Sequence, residues 1–214
     1  AVELFGESPG EADVRRLMAV AVAGRDACWL RLSLFSPEIG HRAPSYIGRP
    51  KVMTVASPPP PPLAASVRVT ALAHCRPTPY MKQVATMDLT RARRAAREKG
   101  FDDALFIDAE GWVSEGTLWN VGFLRDDAVT WPQAPMLAGV TQALIAQGLD
   151  QMGVSQQTRP VRLDEVATFD GAFLCNSATP VCPVTAIDDV AFAGRPALLD
   201  RLEAAWASSP PQPI

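Results

Sequence analysis

The stretch that most constrains the fold runs from Asp88 to Trp131. A helix-length segment, Asp88 to Lys99, is stopped by Gly100. Short strand-like runs follow: Ala104 to Ile107, Trp112 to Glu115, Val121 to Leu124 and Ala128 to Trp131. Turn chemistry separates them. Asp108-Ala109-Glu110-Gly111 reads as a hairpin turn, and Arg125-Asp126-Asp127 parts the last two runs. Strands that follow one another through tight turns pair antiparallel, whereas a doubly wound sheet needs a helix between successive strands. The expected class is therefore α+β or mixed.

The remaining elements can be placed around this core. Residues 8–24 are expected to be helical. Ser8 can N-cap, Pro9 suits the first helical position, Glu11 completes a capping box and Gly24 ends the run. Trp29 to Phe35 alternates apolar and polar residues and predicts a strand. Ser36 to Arg49 reads as a loop, Lys51 to Ala56 as a short strand, Pro58 to Pro62 as a stiff connector and Ser66 to His74 as another strand. Arg76-Pro77-Thr78-Pro79-Tyr80 breaks the pattern, so a boundary is expected there, giving a small domain over 1–76 and a larger one over 77–214. Thr141 to Met152 predicts a helix, Ala172 to Cys175 and Val184 to Ile187 predict strands, and Pro196 to Ser208 a last amphipathic helix. The tail Ser209 to Ile214 is expected to fray.

Composition narrows the function. A 214-residue chain with 48% hydrophobic residues is large enough to fold without disulfide or metal. Its formal charge of −3 argues against an electrostatic nucleic-acid binder. The longest apolar run, Leu17 to Ala23, is too short for a membrane span, and the start does not read as a signal peptide. Cys28, Cys75, Cys175 and Cys182 show no CxxC spacing, and His41 and His74 are the only histidines. No metal site is expected, and the cysteines read as free buried thiols of a cytoplasmic protein.

Four local features could carry chemistry. Lys82 lies between the proline-rich break and a helix, where a desolvated amine suits imine formation. Glu115 closes a strand and could face a protonated ring nitrogen. Leu137-Ala138-Gly139-Val140-Thr141 leads into a helix whose first N–H groups can hold an anion. Asn176-Ser177-Ala178-Thr179 follows an apolar strand and could donate to a phosphate. Taken singly, each has an ordinary reading as surface lysine, solvated carboxylate, helix start or turn.

Together the four blocks resemble the class IV aminotransferases, the fold-type IV pyridoxal-phosphate enzymes. That group includes branched-chain and D-amino acid aminotransferases and 4-amino-4-deoxychorismate lyase. The likeness runs from about Arg76 to about Asp188 and is strongest over Gly100 to Asp108, then Gly111, Val113, Glu115, Gly116 and Asn120. It implies a two-domain fold of that family with the N-terminal part of the small domain missing, since Leu4-Phe5-Gly6 matches a segment some way into the relatives. It further implies pyridoxal 5'-phosphate as cofactor and Lys82 as the lysine that forms the internal aldimine. Glu115 is implied as the partner of the pyridine nitrogen and Leu137 as the residue packed on the ring. Val140 with Thr141, and Ser177 with Ala178, are implied as phosphate-binding pairs. Lys82 is expected to be mostly buried, near Glu115 and the Val140–Thr141 helix start.

The resemblance also implies a homodimer acting on a small amino acid and a 2-oxo acid, with His41 or Arg42 approaching the partner's pocket and the bulky Trp119 altering the pocket wall. Arg15 and Arg16 do not fit the role of the family's phosphate arginine, and Gln142 stands where an arginine often follows Gly-Val/Ile-Thr. The implied reaction is amino-group transfer. The alternatives are an aminodeoxychorismate-type lyase, and a cofactor-free homologue serving as a binding or structural subunit.

Overall fold

The computed structural model describes residues 1–40, 42, 49–61 and 64–213. The chain separates into Ala1–Pro61 with Pro211–Ile214, and Pro62–Pro210. The division thus falls in the proline run and not at Arg76. The reason is the strand before Arg76, which is a central strand of the second unit.

The first unit contains α1 (Val2–Phe5), α2 (Glu11–Val22), β1 (Trp29–Phe35) and β2 (Lys51–Ser57). The two strands pair antiparallel from Trp29↔Ser57 to Phe35↔Lys51. The Thr54 hydroxyl donates to the Leu17 carbonyl at 3.5 Å, which places α2 on one face of the pair. Gly10, not Ser8, is the N-cap of α2, and the expected capping box does not form. Ser8 lies two residues too early and turns its hydroxyl to the Pro9 carbonyl instead. The tail is not loose throughout, because the Pro213 carbonyl accepts from Arg15 at 3.0 Å.

The second unit is built on a mixed sheet. Its strands are β3 (Val67–Ala73), β4 (Asp103–Ile107), β5 (Val113–Gly116), β6 (Asn120–Arg125), β7 (Ala128–Pro132), β8 (Gln156–Arg159), β9 (Gly171–Cys175), β10 (Cys182–Ile187) and β11 (Val190–Ala191). Their order is β5-β4-β3-β10-β9-β6-β7-β8, with β11 on β10. The hairpins expected from the sequence are present, but parallel pairs join them. β3 runs parallel to β4 across α3 (Met87–Glu98), and β7 runs parallel to β8 across α4 (Val140–Gln151). β8 is polar along its length and has no strand signature of its own; pairing with β7 makes it a strand.

The two ends of the sheet meet. The Val113 amide donates to the Val161 carbonyl at 2.8 Å and the Leu163 amide to the Gly111 carbonyl at 2.9 Å. The sheet therefore curls on itself and encloses Val69, Leu105, Val113, Phe123, Leu174 and Val184. A second apolar cluster lies between the sheet and the helices α4 and α5 (Pro196–Ala207), and a third lies under α3. Burying aliphatic and aromatic surface in three places stabilises this unit without any covalent link. Among the four free cysteines Cys175 and Cys182 are buried, whereas Cys28 is half-buried and Cys75 exposed. Among the described residues no helix is long and apolar enough to cross a membrane.

Candidate active site

The candidate site is built where β5 and β9 end and β6 and α4 begin. Glu115 is the third residue of β5 and only 3% exposed, because the curl turns its side of the strand inward. Burial pushes its carboxyl above the ordinary value of 4.5. A hydrogen bond and the charge of Arg76, the Leu137 backbone and the charge of Lys82 oppose that rise.

The chain then turns at Gly116, whose amide donates to the Trp119 carbonyl at 2.9 Å, and enters β6 with Asn120. Asn120 fixes the approach to α4. Its Nδ2 donates to the Leu137 carbonyl at 2.9 Å, and its Oδ1 would lie 1.9 Å from a Cβ placed on Gly139. Only glycine fits at 139. Gly139 is the N-cap of α4, with no side-chain cap and no acidic residue in the first turn. The first amides of α4 thus end in an uncapped, positively polarised helix start. Thr141 is 4% exposed there, Val140 is exposed and Leu137 is half-buried.

The turn after β9 joins the same end of the sheet, because Asn120 is in register with Cys175 and Asn176 Nδ2 donates to the Leu118 carbonyl at 3.2 Å. Asn176 Oδ1 accepts from the amides of Ala178 and Thr179, each at 2.9 Å. The Ala178 amide is therefore committed to its own turn, which corrects the expectation that it is held ready for a phosphate. Ser177 is exposed beside it.

Lys82 departs from expectation in burial. It is exposed, on an irregular segment between β3 and α3. Its charge nonetheless reaches Glu115. Trp119 is a second correction. Its side chain is 3% exposed in the enclosed core, and its indole donates to Asp103 Oδ2 at 2.9 Å. It packs the enclosed core. His41 lies outside the described residues, and Arg42 is exposed in the first unit.

In the sequence Arg76 stands out only as part of a break and as the start of the family likeness, yet its Nε meets Glu115 Oε1 at 2.5 Å. Its one visible signal is a charge placed directly after an apolar strand. Asn120 and Gly139 were visible as types but not as a lock, since contact between them depends on how β6 meets the start of α4.

The family model for amino-transferase class IV matches residues 25–187. The chain is similar to a probable branched-chain-amino-acid aminotransferase of Rickettsia felis, 30% identical over 98 residues, which are 45% of this chain and 34% of that protein. It is also similar to a putative branched-chain-amino-acid aminotransferase of Methanocaldococcus jannaschii, 27% identical over 153 residues, covering 68% of this chain and 53% of that one. Its fold matches the crystal structure of a putative 4-amino-4-deoxychorismate lyase from Legionella pneumophila with a TM-score of 0.84 at 21% identity, over 94% of this chain and 78% of that chain. The chain thus spans between a third and about half of these curated relatives' lengths. With most of its length matched by the family model and its fold shared with a family structure, the chain belongs to the class IV amino-transferases.

Proposed function

We propose that the protein transfers an amino group between an amino acid and a 2-oxo acid with pyridoxal phosphate, the cofactor of its family. The observation that carries this is the pairing, at one end of one sheet, of a buried carboxylate with an uncapped helix start. The two suit opposite ends of the same small molecule. Glu115 accepts a hydrogen bond from a protonated ring nitrogen, and the Val140 and Thr141 amides receive a phosphate dianion. Bound there, pyridoxal phosphate supplies the electron sink for chemistry at the substrate α-carbon.

The chain's own residues do the rest. Lys82 would hold the cofactor at its aldehyde end, and its amine, when neutral, would move a proton to and from the substrate α-carbon. Glu115 keeps the ring nitrogen protonated through its negative charge. Leu137 packs against the ring, and the Thr141 and Ser177 hydroxyls add donors for the phosphate. The protein acts as a homodimer, a point that light scattering checks directly.

Borohydride reduction in the presence of pyridoxal phosphate, followed by peptide mapping, tests the reading. The expected result is a reduced adduct on Lys82 and consumption of a 2-oxo acid when amino acids are supplied. A lyase of the aminodeoxychorismate type is the second reading, favoured by the fold match to the Legionella structure. It would give the same adduct but release pyruvate without a 2-oxo acid acceptor. A protein that takes up no cofactor at all is a binding or structural homologue, and the proposal fails.

A further inference from the structure

Arg76 has no part in that reading, yet it makes the closest charged contact at the site. Its side chain is 14% exposed and the Glu115 side chain 4%, with Nε and Oε1 at 2.5 Å. A pair so far from water is held together by need, because removing either partner leaves the other as an uncompensated buried charge. The groups that act on Glu115 are Arg76 and Lys82 from the β3–α3 segment and the Leu137 backbone from the approach to α4. Arg76 alone among them contributes both a charge and a side-chain hydrogen bond. Arg76 also stands on the same irregular segment as Lys82, close to where that segment leaves β3.

We infer that Arg76 is a positioning residue that ties the lysine-bearing segment to Glu115 and keeps the carboxylate charged until a cofactor ring N–H uses it as acceptor. Only the last step rests on the proposed function; the tie and the charge belong to the protein without cofactor. A lysine at position 76 would restore the charge but not the planar fork that fixes direction. The two contributions can therefore be separated.

The experiment follows the Glu115 carboxyl by carbon-13 NMR in cofactor-free protein, with the signal assigned by its loss in Glu115→Gln. Amide hydrogen exchange is read across residues 77–86. In Arg76→Gln the Glu115 midpoint should rise by about one to three pH units and exchange in 77–86 should quicken. In Arg76→Lys the midpoint should return most of the way while exchange stays fast. A midpoint unchanged in folded Arg76→Gln overturns the charge-keeping role, and parent-like exchange in both variants overturns the tie. If Arg76→Gln does not fold, Arg76→Lys decides, and parent-like exchange there overturns the inference. Failure of the parent to form the borohydride-reduced Lys82 adduct counts against the proposed function alone, because none of these readings uses cofactor.

Discussion

Glu115 and Lys82 rest on supports of opposite kind. Glu115 belongs to a strand paired with β4, and its surroundings are interlocked by Asn120, Asn176 and the Leu137–Gly139 approach to α4. Lys82 lies on a segment whose internal ties are local, such as the Met81 amide to the Thr78 carbonyl at 3.0 Å, and whose Tyr80, Val84 and neighbouring Met87 are exposed. In the proposed function the groups that would hold a cofactor are thus set in the core, and the amine that would leave and return is set on an exposed segment, where low local stability is expected. Arg76 links the two supports.

The largest effect that would sharpen this contrast is chemical. Lys82→Ala should lower turnover by about a thousandfold or more, because it removes the group proposed to form the covalent link. The melting temperature should stay near the parent's, because an exposed side chain contributes little packing. A large loss of stability would show that the segment is as much part of the core as β5.

Glu115→Ala should do the reverse. It strands Arg76 without its buried partner and should cost roughly 3–5 kcal/mol in denaturant unfolding. A cost below ~1 kcal/mol would mean that the pair is open to water and that the two supports are alike.

Two glycine substitutions separate packing from the site. A Cβ at Gly139 would lie 1.9 Å from Asn120 Oδ1, and one at Gly148 would lie 2.3 Å from the Ala205 carbonyl. Gly139→Ala and Gly148→Ala should each cost about 1–3 kcal/mol from overpacking. Only Gly139→Ala should also weaken pyridoxal phosphate binding, read by absorbance titration, because only it disturbs the start of α4. Equal cofactor affinity in the two variants would remove the helix start from the site.

The smallest effect is in pH. Because Glu115 has its carboxyl raised above 4.5 in the folded protein, the folded state holds that proton more tightly than the unfolded chain. Its contribution to stability is therefore most favourable below 4.5 and declines as pH rises through 4.5 to the higher folded value. Subtracting the stability of Glu115→Gln from that of the parent between about pH 4 and 7 should show this fall. A difference that instead rises with pH would mean that Arg76 and Lys82 outweigh burial.

Much of this architecture is legible in the chain. Trp29 to Phe35 is a strand at both predicted ends, and α3, α4 and α5 lie within a residue or so of expectation. Those elements announce themselves because alternation, helical periodicity and glycine stops are local. Glu115 at a strand end and Gly139-Val140-Thr141 at a helix start stand at element ends that are legible for the same reason, while their roles come from the family resemblance. β8 was not, since Gln156–Arg159 has no apolar alternation and depends on β7, and neither were the parallel pairings that pull β3 into the second unit.

What the sequence by itself determined is most of the elements, their order and the family they resemble, all of which follow from short-range spacing. Which side of each strand faces inward was decided only when the sheet curled. That curl put Trp119 in the core on Asp103, set Glu115 against Arg76, and laid Asn120 into the space beside Gly139. Each of these contacts joins residues from different strands or loops. Alternation separates the two faces of a strand, but only the packed sheet decides which face is buried and what it meets there.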